Sequence, residues 1–223
     1  MKRLEKLGEA TAPDGTVLTL YRHDRDYVIR TGGVELMSTR RFHSEEQLAE
    51  LVCAPLRGSA GPRVLIGGLG LGFTLRAALR TLPADARVVV AEIVGEVIEW
   101  NRNPEYPLAA ASLADARVEL VHDDVANVLR ERRGEFDAIM LDVDNGAEAL
   151  TTGSNADLYD RKGVRTAVGA LRPGGRLAYW SADEDPRFAA LLRGAGLGVE
   201  VVKARAHATS GGPHTLRIAR LPG

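Results

Sequence analysis

The chain reads as an α/β protein: a mostly parallel sheet covered on both faces by helices, preceded by a small antiparallel β-meander. Three observations predict this. From Arg63 onward, short apolar runs of strand composition alternate with helix-forming segments, the order that winds a parallel sheet. The first run, Val64-Leu-Ile66, passes into the glycine cluster Gly67-Gly68-Leu69-Gly70-Leu71-Gly72, then a helix, then a second apolar run, Val88-Val-Val-Ala91, closed by Glu92. Strand, tight turn, helix, strand, acid is half of a Rossmann-like nucleotide-binding unit. Before Arg63 the pattern differs, with β-type runs at Thr16–Tyr21, Tyr27–Arg30 and Val34–Ser38 parted by the turn compositions Asp24-Arg-Asp26 and Thr31-Gly-Gly33.

After the meander, Ser44-Glu-Glu-Gln47 has the spacing of a capping box, with Ser44 at the cap of a helix that runs through Leu51 and ends near Pro55. Arg57-Gly-Ser-Ala-Gly-Pro62 is a linker by composition and divides the chain into residues 1–56 and 57–223. Within the second part, a helix from Val94 to Arg102 leads to strands Val118–Val121 and Phe136–Leu141. A helix from Arg161 to Leu171 then reaches the turn Arg172-Pro-Gly-Gly175, which feeds a fifth strand, Arg176–Trp180. A helix from Pro186 to Arg193 and strands Val199–Val202 and Thr215–Ala219 complete a sheet of seven.

Composition removes several functions. A formal net charge of -1 over 223 residues leaves no electrostatic footprint for nucleic acid. Cys53 is the one cysteine, which excludes a disulfide framework and a thiolate metal site. The five histidines show no paired ligand spacing, so no metal is expected, and no Ser/His/Asp set carries a nucleophile elbow. The opening Met-Lys-Arg-Leu-Glu-Lys has no apolar stretch behind its charges and no later run reaches membrane-spanning length, so a cytoplasmic protein without membrane partners is expected.

The glycine spacing selects the ligand. Gly68, Gly70 and Gly72 alternate, whereas a dinucleotide fingerprint needs G-x-G-x-x-G, and a P-loop needs a Gly-Lys-Ser/Thr ending that this turn lacks. What remains is a bare backbone turn whose ligand need not carry phosphate. S-adenosylmethionine fits, with Glu92, about 20 residues beyond the turn, placed to take both ribose hydroxyls. In such sheets the ligand sits beyond the carboxyl ends of the strands. Those ends carry Glu92, His122-Asp123-Asp124 and Asp142-Val-Asp144-Asn145. Asp124 is the candidate partner for an adenine amino group and also suits the N-cap of a helix from Val125 to Arg130. Asp142 would lie beside the reactive sulfonium, where a carboxylate can offset cationic charge or take a proton from a nucleophile.

Taken together, Val64–Gly72, Glu92, Asp123-Asp124, Phe136-Asp-Ala-Ile-Met-Leu-Asp142 and Leu171-Arg-Pro-Gly-Gly175 resemble the spermidine synthase-like group within the class I S-adenosylmethionine-dependent methyltransferase fold. The resemblance covers most of Arg63–Ala182 and implies that the last strand inserts antiparallel beside the fifth. It implies cofactor binding by Gly68, Gly70, Gly72, Glu92, Asp123, Asp124 and Asp142. It also implies a catalytic role for Asp142, joined by Asp144, a small-molecule acceptor, and a homodimer as the assembly to test. Where spermidine synthases carry an aspartate inside the glycine turn, this chain has Gly70; the family's Tyr-His-Glu stretch becomes Gln47-Leu-Ala49, and its Asp-x-x-Asp polyamine clamp becomes Asp142-Val-Asp144. These departures favour intact S-adenosylmethionine and methyl transfer to a nitrogen or oxygen nucleophile. Aminopropyl transfer from decarboxylated S-adenosylmethionine to a polyamine is the first alternative, and a catalytically inactive cofactor-binding protein the second. The loop from Asn145 to Asp160 has the composition of a lid, from which Asp157 and Tyr159 could reach the acceptor.

Overall fold

Seven strands and two helical layers are organised around the β-strand that enters the glycine turn. The computed structural model describes residues 4–143, 157–182, 184–207 and 213–223. Strands β1 (Glu5–Thr11), β2 (Val17–His23), β3 (Asp26–Thr31) and β4 (Val34–Ser38) form an antiparallel sheet in that order. The meander thus has four strands, one more than the sequence predicts. Its first strand, Glu-Lys-Leu-Gly-Glu-Ala-Thr, is charged and half exposed, so it has neither the β-branched content nor the strict alternation that marks a strand.

The larger sheet holds β5 (Arg63–Gly67), β6 (Arg87–Glu92), β7 (Val118–His122), β8 (Phe136–Leu141), β9 (Leu171–Ser181), β10 (Gly198–Arg205) and β11 (Pro213–Arg220). Their spatial order is β10-β11-β9-β8-β5-β6-β7, parallel except for β11, which runs antiparallel to both its neighbours. The seven-stranded Rossmann-like sheet and its inserted last strand are as expected. Pairing of β9 with β8 begins already at Leu171, slips after Phe136 and resumes at Arg176. Arg172–Gly175 is therefore an irregular part of β9 rather than a separate turn before it, with Gly174 at φ +75.

Alternate residues of each strand feed opposite faces. Val64 and Ile66 of β5 and Ala138 and Met140 of β8 pack under α1 (His43–Cys53) and α2 (Phe73–Thr81), which supply Leu48, Val52, Leu75 and Ala78. Leu65, Ile139 and Leu141 face the other way, under α5 (Val125–Glu131), α6 (Arg161–Ala170) and α7 (Pro186–Gly194). A third apolar cluster joins Leu20, Tyr27 and Ile29 of the antiparallel sheet to Val97 and Trp100 of α3 (Gly95–Arg102). A one-turn helix, α4 (Ala110–Leu113), precedes β7. Trp100 and Trp180 are both buried, as wall residues of these clusters. Among the described residues no helix is long and apolar enough to cross a membrane.

One local reading needs correction. Phe42 rather than Ser44 is the N-cap of α1, and no side chain caps it. Ser44 lies inside the helix, fully buried, and its hydroxyl is engaged by Trp180 Nε1 at 3.0 Å and His214 Nδ1 at 2.8 Å instead of by the helix's own backbone. The spacing of a capping box reports local opportunity; here a hydroxyl pressed against the sheet satisfies itself there.

The seam between the two sheets depends on a missing side chain. A Cβ at Gly8 of β1 would stand 2.6 Å from Trp100 Nε1. Gly8→Val should force the indole out of place and cost about 1–3 kcal/mol. An unchanged urea midpoint would show that the seam contributes little to stability.

Candidate active site

The turn after β5 is built from three residues in the left-handed region, Gly68 (φ +90), Gly70 (φ +52) and Gly72 (φ +82), a conformation in which only glycine is unstrained. Each serves a different neighbour. A Cβ on Gly68 would meet the Asp142 carbonyl oxygen at 2.5 Å, so this glycine lets the turn lie directly on the end of β8. A Cβ on Gly70 would press on Met37 Sδ of β4 at 3.1 Å, and one on Gly72 would strike Ala109 Cβ at 2.4 Å. Gly68 and Gly70 line a cavity between the glycine turn, the ends of the strands and the antiparallel sheet. Gly72 is not among its lining residues; it caps α2 and gives way to Ala109.

Glu92, at the end of β6, is buried and lines the same cavity. Its Oε2 accepts from Leu69 N and its Oε1 from Val94 N, both at 2.9 Å. Burial raises its pKa, and the backbone N–H groups around it work against that rise. Each oxygen has a second lone pair to offer to a ligand hydroxyl. Asn101 of α3 completes the support, donating from Nδ2 to Gly70 O at 2.8 Å.

Asp123 and Asp124 follow β7. Asp124 is the N-cap of α5, its Oδ1 accepting from Ala126 N at 2.8 Å, while Asp123 Oδ1 accepts from Asp124 N and Asn127 Nδ2, both at 2.7 Å. Both line the cavity, next to the apolar Ile93, Val94 and Val125. The structure thus gathers Gly68, Gly70, Glu92, Asp123, Asp124 and Asp142 around one space. Asp144 and residues 145–156 lie outside the described residues. Of the two lid residues, Asp157 is exposed and Tyr159 packs its ring against Tyr179 and Phe188 at 5.3 and 5.0 Å; neither lines the cavity.

Asp142 stands at the end of β8 with Thr74 of α2 donating its hydroxyl to Oδ2. Its charge acts on a second carboxylate. Glu45 of α1 is driven upward in pKa by burial and then by the charge of Asp142, while Arg41 and the Ser44 hydroxyl act in the opposite sense. Burial also raises Asp142. Two close carboxylates ionise in sequence, and the later of the two does so towards about 8.

Sequence reading did not single out Glu45 or Thr74, although a signal for each exists. Glu45, Leu48, Ala49 and Val52 fall at i, i+3, i+4 and i+7, so an acid occupies the inward stripe of α1. Thr74, Ala77, Ala78 and Thr81 repeat the pattern on α2, all buried. Leu18, Ile29 and Met37 of the antiparallel sheet also line the cavity, which that sheet roofs.

Sheet order, glycine turn and strand-end acids together define a Rossmann-like fold of the class I methyltransferase type. No protein-family model matches the chain. In sequence it is similar to the polyamine aminopropyltransferase of Leptospira biflexa serovar Patoc, 28% identical over 147 residues that cover 66% of this chain and 49% of that protein. It is also similar to the polyamine aminopropyltransferase of Synechococcus sp. (strain JA-3-3Ab), 37% identical over 108 residues, 48% of this chain and 34% of that one. A solved spermidine synthase in complex with the transition-state analogue AdoDATO superposes with a TM-score of 0.75 at 19% identity, covering 98% of this chain and 73% of its own. The likeness to the spermidine synthase-like group holds in both sequence and fold, and the chain spans about half the length of the curated relatives it matches.

These comparisons overturn the preference for methyl transfer: the relatives are polyamine aminopropyltransferases. One position in the turn does not report the charge of the whole site, whose cavity Glu92, Asp123, Asp124 and Asp142 also line.

A carboxylate whose folded-state pKa is raised binds its proton more tightly in the native chain than in the unfolded one. Stability then falls as pH rises from the ordinary carboxylate range through the folded value. Glu45→Gln should remove this loss, making the variant more stable than the parent by on the order of 1–2 kcal/mol at pH about 9, with the difference vanishing near pH 4. Urea midpoints at the two pH values measure it; a variant less stable than the parent at high pH would refute the charged-pair description.

Proposed function

We propose that this chain transfers an aminopropyl group from decarboxylated S-adenosylmethionine to an amine of the polyamine class. The observation that carries the reading is the set of acids lining the glycine-turn cavity, Glu92, Asp123, Asp124 and Asp142, with the Glu45 carboxylate raised in pKa by the charge of Asp142, taken with the aminopropyltransferase relatives. Decarboxylated donor and amine acceptor both carry ammonium groups, and the donor carries a sulfonium besides. Paired carboxylates attract such cations, while they would repel the carboxylate of the intact donor.

In this reading Glu92 accepts the ribose hydroxyls with the lone pairs its backbone partners leave, Asp124 with Asp123 beside it faces the adenine, and Ile93 and Val125 flank the ring. Gly68 and Gly70 let the aminopropyl arm pass close to backbone. Asp142, steadied by Thr74, takes the proton that an acceptor ammonium must lose before its nitrogen can attack. The nitrogen then bonds to the propyl carbon as the carbon–sulfur bond breaks and its electron pair returns to sulfur. In-line placement of nitrogen, carbon and sulfur supplies the rest, because the sulfonium is already a good leaving group.

The test is a product assay with decarboxylated donor and a panel of diamines and longer polyamines. The expected product is methylthioadenosine together with the elongated amine. Asp142→Asn should lower kcat by about 10²–10³-fold, the usual contribution of a positioned general base. Release of S-adenosylhomocysteine from intact donor, with no reaction of the decarboxylated one, would defeat the proposal.

A further inference from the structure

β4, the edge strand of the antiparallel sheet, carries an irregularity that the reaction as described leaves unused. It pairs with β3 through Ser38 with Val28 and Met37 with Ile29, but the next pair is Glu35 with Arg30, so Leu36 is an extra residue. Successive residues of a regular strand point to opposite faces, and without this bulge Leu36 would stand opposite Arg30 and point away from Ile29 and the cavity. With it, Leu36 and Met37 both line the cavity, next to each other and half-buried. The bulge is clipped in place. Glu35 and Ser38 flank the pair, and the buried Ser38 hydroxyl donates to Glu35 Oε1 at 2.9 Å. Just beyond, Tyr27 N donates to Thr39 Oγ1 at 3.0 Å.

Met37 reaches the glycine turn itself. A Cβ on Gly70 would lie 3.1 Å from Met37 Sδ and 3.6 Å from its Cε, so bare backbone and thioether close on each other. Gly70 brings no side chain of its own, and methionine is unbranched, polarisable and apolar. A ligand that passes this contact therefore meets hydrocarbon and sulfur on the side of the antiparallel sheet. The acids of the cavity stand elsewhere, at the ends of β6, β7 and β8. Against such a wall methylene groups gain by leaving water, whereas a charged group without a partner loses its hydration.

We infer that Leu36 and Met37 are specificity-determining residues for the alkyl arm of the sulfonium donor: the arm's methylenes lie along the wall that the bulge builds over Gly70, and its charged end points towards the strand-end acids. The inference rests on the proposed aminopropyl transfer for the identity of the arm. The third carbon from sulfur is a methylene in the decarboxylated donor and bears a carboxylate in the intact one. An apolar wall accepts the first and penalises the second. Leu36 and Met37 thus add to donor selection from the side of the cavity that carries no charge.

Calorimetric titration of the full chain with two ligands separates the arm from the rest of the donor. Methylthioadenosine has the adenosine and the sulfur but only a methyl in place of the arm; decarboxylated S-adenosylmethionine has all three. Met37→Ala should weaken the decarboxylated donor about tenfold, what roughly one methylene of apolar contact contributes, and leave methylthioadenosine unchanged. Met37→Leu should keep most of the affinity, and Met37→Gln, similar in length but polar, should lose it as the alanine variant does. Equal weakening of both ligands would make Met37 a prop of the turn, and an unchanged affinity for the decarboxylated donor would remove it from the path of the arm; either result overturns the inference. Should Met37→Ala not fold, Leu36→Ala puts the same question with the same expected and contrary results. A parent that binds the intact donor more tightly, and in which Met37→Ala weakens only the ligands with an arm, would sustain the wall and defeat the aminopropyl reading instead. Failure of the parent to bind methylthioadenosine or either donor would overturn both.

Discussion

The arrangement depends on one close approach, the Gly68 backbone lying against the carbonyl of Asp142. Any side chain at position 68 would push the turn off the end of β8 and separate it from Asp142. Reinforcement comes from hydrogen bonds on either side: Asp142 N donates to Gly67 O at 2.9 Å, and Gly68 N to Ala91 O at 2.8 Å. The ends of three strands, β8, β5 and β6, are thereby tied into one rim, with Glu92 clamping the turn from below through Leu69 N. Geometry of this kind belongs to the fold's switch in strand order, where the chain leaves β5 in both directions.

On that rim the protein accepts an electrostatic cost. Glu92, Asp142 and Glu45 are all held where burial opposes their charge, and two of them repel each other. A structure selected for stability alone would replace such a pair with apolar residues, since buried charges seldom stabilise a fold. Cationic ligands turn the same feature into attraction. Leu18, Ile29 and Met37 of the antiparallel sheet give the cavity an apolar wall, beside which the lining carboxylates act at a lower effective dielectric than on the surface.

Much of this was legible in the sequence, and the reasons differ element by element. The parallel sheet could be read because its strands are continuous apolar runs between glycine turns and acids, and Glu92 and Asp142 stand immediately after such runs. β1 escaped because its register is set by pairing with β2, not by its own composition. Ser44 was misread as a cap because the bonds it makes are to Trp180 and His214, distant in sequence. Glu45 escaped for the same reason: what raises its pKa is burial and the charge of Asp142, distant in sequence, once α1 packs beside α2 on the sheet. The reaction was judged from Gly70 and two further departures, Gln47-Leu-Ala49 and Asp142-Val-Asp144, and the likeness to polyamine aminopropyltransferases reversed that judgement.

The central claim is that paired carboxylates select a donor without a carboxylate of its own. Calorimetric titration of the full chain with intact and with decarboxylated S-adenosylmethionine tests it most directly, repeated on the Glu45→Gln, Asp142→Asn double variant. The account predicts that the parent binds the decarboxylated donor at least about tenfold more tightly, a difference of roughly 1.4 kcal/mol, and that the double variant loses the preference. Tighter binding of the intact donor by the parent would contradict it.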